Sequence, residues 1–333
     1  MAIKVLHFGL GPIGAATARQ VAARPGLRIV GGIDIDPAKA GRDIGDVVGL
    51  GRSLSAPVWA DPVAALKRVR PDVVILCTSS SLVRILPQIE TVLRARIPIV
   101  STTEELAYPA KRNRAAVAKI DAWAQHAKVA VLGTGVNPGF AMDVLPIVLT
   151  APCERVDAIR VERVQDARIR RLPFQQKIGA SLTVGQFRRR VADGKVRHVG
   201  LTESVQMIAD AMGWRLTRIV DRIQPKVALR AIASEWITVK RGQVCGLVQD
   251  GIGYAGGKPV ITLHMEAYLG APETYDEVAI TGSPMLTTRV AGGIHGDIAT
   301  AAIVVNSIPK ILAAPPGYRT MRDLPIPSFF RGA

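Results

Sequence analysis

Two consecutive carboxylates, Glu104 and Glu105, stand in the stretch Ser101-Thr-Thr-Glu-Glu-Leu-Ala-Tyr108-Pro109. Paired acids of this kind are the chain's best candidates for general acid/base work. Each also reads as a carboxylate capping a helix start. A second loop, Gly133-Thr-Gly-Val-Asn137-Pro138-Gly139-Phe140, combines small residues suited to close backbone approach with an amide that would orient a carboxamide or a substrate amine. Its other reading is an interdomain hinge. Thr78, Ser79 and Ser80 offer small hydroxyls to a ribose or phosphate, or to the start of a helix. The histidines at 7, 126, 198, 264 and 295 fall in no ligand spacing, which predicts no metal. Among them only His295, within Gly293-Ile-His-Gly296, sits in a suggestive loop.

A third group sits at the N-terminus, where Ile3 to Phe8 runs into Gly9-Leu-Gly11-Pro12-Ile13-Gly14. Gly9 permits a tight turn off a strand, Gly11 lets backbone approach a pyrophosphate, and Gly14 lets helix pack on strand. Pro12 suits the first helical turn, where its missing N–H removes nothing. Asp34 closes the next apolar run about twenty residues on, where an acid accepts from an adenosine ribose. Together these predict a nicotinamide dinucleotide, NAD or NADP. Asp34 favours NAD, while Lys39 and Arg42 stand close enough in sequence to neutralise a 2′-phosphate.

Such groups need a scaffold, and the first part of the chain supplies alternating strands and helices. Strands are predicted at Lys4 to Phe8, Arg28 to Asp34, Asp72 to Cys77, Pro98 to Ser101 and Val129 to Leu132. Helices are predicted around Pro37 to Val48 and at Pro62 to Val69, Ser80 to Arg94 and Ala110 to His126. Asp72-Val-Val-Ile-Leu-Cys77 is the continuous apolar run of a buried parallel strand. The pattern is α/β: an N-terminal Rossmann doubly wound parallel sheet, whose ligand lies outside the carboxyl ends of its strands.

After Phe140 longer β-like segments follow, at Cys153 to Val164, Ile232 to Val239, Gln243 to Tyr254 and Pro259 to Leu269. They predict a second α/β domain built on a mostly antiparallel sheet, one face over a site and the other open to a subunit partner. Asp297 is expected to cap a final helix with Ile298, Ala301, Ala302, Val305 and Ile308 on one face. The boundaries read as 1–138 for the dinucleotide-binding domain, with 296–333 packing back on it, and 139–295 for the substrate-binding and dimerisation domain.

The chain has 333 residues, 48% of them hydrophobic, enough for a large core in two domains. Its longest uncharged stretch, Val129 to Met142, is broken by glycines and proline, so no membrane span is expected. The first strand begins at once, leaving no room for a cleavable signal. Cys77, Cys153 and Cys245 lie far apart and fit a reducing cytoplasm. The formal charge of +16 invites a nucleic-acid reading, but aromatics are 5% and no recognition motif accompanies it. Arg215, Arg218 and Arg222, at helical spacing, read as a solvated helix face rather than a specific nucleic-acid surface.

Ser101 to Pro109, Gly133 to Phe140, Arg170-Arg171-Leu-Pro-Phe174-Gln-Gln-Lys-Ile-Gly179 and Gly292-Gly-Ile-His295-Gly-Asp-Ile-Ala-Thr-Ala-Ala302 together resemble the 2,4-diaminopentanoate dehydrogenase and native amine dehydrogenase family. This family lies within the dihydrodipicolinate-reductase-like superfamily. The resemblance covers nearly the whole chain. It implies a homodimer and NAD(P)-dependent oxidative deamination of an amine or diamino acid, with reductive amination of a ketone or aldehyde by ammonia as the reverse. It places the catalytic glutamate within the Glu104-Glu105 pair, Glu104 being favoured. The superfamily's paired histidines with a following Lys and Ser-Gly-Thr segment are absent, which argues against lysine biosynthesis. Tyr108, Phe140 and Phe174 read as pocket walls or core. Arg171, with Arg168, Arg170 and Lys177, reads as a substrate-carboxylate site or as exposed surface. A carbonyl or imine reductase and a non-catalytic dinucleotide sensor are the competing classes.

Overall fold

A computed structural model describes residues 2–109 and 113–331. The chain divides into two compact units, Met1–Phe140 with His295–Ala333, and Ala141–Ile294. In order, the first unit runs β1 (Ile3–Phe8), α1 (Pro12–Ala22), β2 (Leu27–Ile33), α2 (Ile44–Val47), β3 (Val58–Trp59), α3 (Pro62–Val69), β4 (Val73–Leu76), α4 (Leu82–Arg94), β5 (Ile99–Ser101), α5 (Glu104–Ala107), α6 (Arg114–Ala127) and β6 (Ala130–Gly133). The second holds α7 (Val144–Leu149), β7 (Arg155–Asp166), α8 (Leu172–Lys177), α9 (Val184–Ala192), α10 (Leu201–Ala211), β8 (Arg218–Val227), β9 (Ile232–Ala233), β10 (Thr238–Val239), β11 (Val244–Ala255), β12 (Lys258–Tyr268), β13 (Tyr275–Ser283) and β14 (Leu286–Ala291). α11 (Gly296–Leu312) and β15 (Gly317–Arg319) return to the first unit.

The first sheet has seven strands in the order β15-β6-β5-β4-β1-β2-β3, all paired in parallel. Val73 to Leu76 are each wholly buried, as a central strand covered on both faces must be. One face receives the apolar stripe of α4, Leu82, Ile85, Ile89, Val92 and Leu93, against Leu6, Phe8, Val74 and Leu76. The other face carries α1 and α11. Because every strand points the same way, the loops after β1, β2, β4, β5 and β6 leave one edge.

The second sheet has six strands ordered β14-β13-β7-β12-β11-β8. Its pairing is antiparallel except where β7 meets β12. α10 lies so close on β11 that a Cβ at Gly251 or Gly253 would come within 2.9 Å of Leu201 or Val205.

Several elements differ from the sequence expectation. Only Ile44–Val47 of the Pro37–Val48 stretch is α-helical, because the Asp43 carboxylate draws the amides of Gly45, Leu54 and Ala56 into a folded loop. Ile232–Val239 is a small hairpin, turned where Ser234 Oγ accepts from the Trp236 and Ile237 amides. Arg218 and Arg222 lie on a strand and not a helix, since their segment pairs along β11. His295, not Asp297, occupies the N-cap of α11, and Ile298 is 62% exposed. The expected start of α6 at Ala110 lies outside the described residues. Among the described residues no helix is long and apolar enough to cross a membrane.

Candidate active site

The chain leaves β1 through Gly9, whose φ of +93° is left-handed. A Cβ there would stand 2.7 Å from the Cys77 carbonyl oxygen, and one at Gly14 would stand 1.9 Å from the Gly9 carbonyl. Those two glycines are demanded by the protein's own packing. Gly11 is different, for nothing lies within 4 Å of where its Cβ would be. It caps α1 with Pro12 in the first turn, so bare backbone and a positive helix end face open space. That arrangement fits a dinucleotide pyrophosphate.

Asp34 stands at the end of β2, the next strand of this edge. Its carboxylate accepts from the Leu10 amide (2.8 Å), the Asp36 amide (3.0 Å) and Lys39 Nζ (3.2 Å). Burial pushes its pKa up, but these donors together hold it below the usual carboxylate range. Lys39 also reaches Asp36 at 3.5 Å. Arg42 is exposed and donates to the Ala38 carbonyl, so the cation set on Asp34 is Lys39. Ile13 is half-buried in α1, its carbonyl accepting from the Thr17 hydroxyl.

The loops after β4 and β5 are sewn together. Thr103 Oγ1 donates to the Ser79 carbonyl (2.7 Å), and the Glu105 amide donates to the Ser80 carbonyl (3.3 Å). Glu105 Oε2 accepts from the Leu82 amide at 2.9 Å, in the first turn of α4. Glu105 is thus the capping carboxylate of a helix distant in sequence. Thr78 Oγ1 bonds to the Gln88 side chain. Glu104 sits half-buried in the same single turn, α5.

That turn is held from below and behind. A Cβ at Gly133 would lie 2.5 Å from the Leu106 carbonyl carbon, so the close approach served by this glycine is to α5 and not to a ligand. Tyr318, from β15, donates its hydroxyl to the Leu106 carbonyl at 2.7 Å. Tyr108 follows the turn and its hydroxyl accepts from Arg322 (3.3 Å). Beyond β6, Thr300 of α11 accepts from the Val136 amide (3.3 Å), tying down the loop that carries Asn137, Pro138 and Phe140. Asn137 and Phe140 are half-buried and Pro138 is buried. His295, also half-buried, precedes α11.

The second unit has a polar interior of which sequence reading singled out the Arg168–Lys177 segment but not Arg163, Gln165, His198 or Asp276. Arg163 bonds to Asp276 and, at 2.7 Å, to the Ile294 carbonyl, and both side chains of the pair are at most 3% exposed. Arg170 is buried, reaches Gln165 Oε1 (3.0 Å) and lies 4.1 Å over the Phe174 ring. Gln175 is wholly buried between the Arg170 carbonyl and the Ser234 hydroxyl. Arg171 stands half-buried at the N-cap of α8, whereas Arg168 is exposed on Asp166. The His198 backbone pairs reciprocally with the Gln249 side chain, and its Nε2 is buried with no hydrogen-bond partner. Burial, then the charges of Lys177, Arg163 and Arg197, pull its pKa down to about 3, so the ring is neutral. One signal was present: Arg163 and Gln165 share parity with buried Ile159 and Val161 along β7.

Comparison with known proteins bears on the whole chain. The profile of the 2,4-diaminopentanoate dehydrogenase C-terminal domain matches residues 140–333. A 2,4-diaminopentanoate dehydrogenase from Acetoanaerobium sticklandii is 33% identical over 99% of this chain and 95% of its own length. An amine dehydrogenase from Streptomyces virginiae is 29% identical over 49% of this chain and 46% of its own. The structure of an amine dehydrogenase from Mycobacterium smegmatis superposes with a TM-score of 0.89 at 24% identity, covering 100% of this chain and 99% of that one.

Proposed function

The chain belongs to the 2,4-diaminopentanoate dehydrogenase family, and from that premise we propose that it is an NAD(P)-dependent oxidoreductase of C–NH2 groups, with Glu104 as its acid/base. In the deaminating direction an amine and water give a carbonyl compound and ammonium, and two electrons leave with the substrate hydrogen. A bound nicotinamide would supply the acceptor for that hydride. Gly11 and the start of α1 would hold its pyrophosphate, and Asp34 its ribose. The fixed pairing of Lys39 with Asp34 supports use of both NAD and NADP, since a cation beside the acid softens its repulsion of a 2′-phosphate.

Glu104 removes a proton from the water that attacks the substrate iminium and, as a carboxylate, stabilises that cation. In reverse it takes a proton from ammonium, freeing ammonia to add to the carbonyl, and gives a proton to the departing carbinolamine hydroxyl, which leaves as water. The observation that carries this assignment is the capping bond of Glu105 to the Leu82 amide, which gives that neighbour a structural task. Phe140, Tyr108 and Phe174 wall off water, and His295 and Arg171 contribute to substrate recognition. The domain roles are 1–138 with 296–333 for cofactor and 139–295 for substrate and dimerisation. On the second sheet, the face opposite α10 carries Tyr254, Tyr268 and Tyr275, each with a cation over its ring within 4.5 Å. That half-buried, charge-alternating face suits a second copy of the chain. Unpaired thiols at Cys77, Cys153 and Cys245 fit a cytoplasmic location.

The test is ammonia-dependent oxidation of NADH and NADPH across a panel of small ketones, aldehydes and keto acids. Glu104→Gln should lower kcat by roughly 10²–10⁴-fold with cofactor affinity unchanged, while Glu105→Gln should mainly destabilise, by about 1 kcal/mol. Equal turnover in Glu104→Gln and the parent would defeat the assignment. Carbonyl reduction that ignores ammonia would point to a reductase instead.

A further inference from the structure

At the end of the parallel sheet opposite the cofactor loops, the C-termini of α3 and α4 flank a cavity of about 630 Å³. Its apolar surface is made by Val63, Leu66, Pro71 and Ile97, and around it stand Lys67, Arg70, Arg94 and Arg96. Arg94 is paired with Glu90 at 2.6 Å. Among the described residues no carboxylate pairs with Lys67, Arg70 or Arg96.

Basic residues in a last helical turn ordinarily answer the helix dipole. That reading leaves one thing unexplained. Arg70 and Arg96, which follow the two helices, both adopt left-handed backbone, with φ of +41° and +59°. Glycine takes that conformation at helix ends without cost, whereas a residue with a Cβ does not. At both ends facing this one cavity the chain carries arginine. The charges also add up in one direction, since three unpaired cations outweigh two helix C-termini of roughly half a negative charge each. The Arg70 carbonyl is besides already bonded by Lys4 Nζ at 2.6 Å.

We propose that this cavity is a second ligand site, for an organic anion of mononucleotide size: an apolar or aromatic body against the exposed Val63, above a floor of buried Leu66, Pro71 and Ile97, with a phosphate, sulfonate or carboxylate held by Arg70 and Arg96. The volume falls within the range of small-molecule sites, and paired guanidinium groups suit oxyanions. The site stands apart from the residues assigned to cofactor and catalysis, so it does not depend on the proposed reaction.

The test uses the full chain saturated with NAD⁺ or NADP⁺, so that the dinucleotide turn is filled. Fluorescence titration with 1-anilinonaphthalene-8-sulfonate should give one saturable site. Arg70→Glu/Arg96→Glu should weaken it at least tenfold, and Val63→Asp severalfold, with amine turnover retained as the measure of folding. The same two reversals made on α9, Arg188→Glu/Arg190→Glu, should leave it within twofold. Three results would overturn the proposal: binding by Arg70→Glu/Arg96→Glu within twofold of the parent, equal weakening by both charge reversals, or displacement of the probe by inorganic phosphate at concentrations comparable to the probe's own.

Discussion

The carboxyl edge of the parallel sheet and the buried face of the six-stranded sheet hold their polar groups by opposite means. At the edge, short loops bond to one another through backbone and small hydroxyls: Thr103 to the Ser79 carbonyl, the Glu105 amide to the Ser80 carbonyl. On the sheet face, long buried side chains make the links, Arg163 as an ion pair across strands to Asp276 and the Gln165 amide to the Ile294 carbonyl beyond β14. A carboxylate whose neighbours are amides near solvent loses little when one bond goes. A guanidinium with a single buried counter-charge loses nearly everything. The edge is therefore suited to reacting groups that must change charge, and the interior to groups that must not.

Breaking the Arg163–Asp276 pair should have the largest effect. Asp276→Ala leaves a guanidinium at most 3% exposed without its anion, which should cost about 3–5 kcal/mol. Burial already lowers the Arg163 pKa and Asp276 pulls it back up, so removing the acid leaves only the penalty. Arg163→Met/Asp276→Leu should recover much of that loss, because both charges leave together. Urea unfolding of the three proteins decides the matter. If Asp276→Ala costs under about 1 kcal/mol, the contrast between edge and interior is wrong.

This difference also explains what a sequence discloses. The turn Gly9-x-Gly11-x-x-Gly14 and the acid-bearing stretch Ser101 to Pro109 are local, because adjacent residues meet at one strand end. Their place at the sheet edge was legible before any coordinate. That Glu105, rather than Glu104, caps α4 was not, since the bond to Leu82 spans 23 positions. Arg163 and Asp276 are 113 positions apart, and nothing in either neighbourhood announces the other. β8 was misread for a related reason: arginines spaced three and four apart fit a helix as well as a strand, and only pairing with β11 decides. β3 and β15 have two and three residues, too short for any periodicity to register.

A sharper probe of the two regions is acid, because the first unit holds the buried, neutral His7 and the second the neutral His198, whose Nε2 is buried. His7 in β1 has no hydrogen-bond partner on either ring nitrogen, and burial lowers its pKa to about 3, as it does that of His198. In the unfolded chain each binds its proton near 6.5, so the unfolded state gains protons first as pH falls. Stability is full above 6.5 and is lost progressively from there toward 3. At pH 5 the loss should be about 2 kcal/mol per histidine. The depressed carboxylates, Asp34 and Glu266 among them, start from 3.8 and 4.5 and add little above pH 5. Urea midpoints measured from pH 7.5 to 5 should fall, and His7→Leu should remove about half of the slope. A flat profile in that window would show that these imidazoles are hydrated.

The smallest expected effect tests the edge itself. Tyr318 is 212 positions from Leu106, yet its hydroxyl bonds to the Leu106 carbonyl of the turn that carries Glu104. Burial pushes the Tyr318 pKa above its ordinary range, which keeps the group a donor at all working pH. Tyr318→Phe removes one bond and should cost about 1 kcal/mol of stability. If the turn positions Glu104, kcat should also fall severalfold while KM for the cofactor stays put. In a Glu104→Gln background the same change should then cost no further activity, because the group being positioned is already gone. A loss of equal size in both backgrounds would mean that Tyr318 serves only the fold. Full activity in Glu104→Gln would instead remove the premise, so the two failures are told apart by the same four proteins.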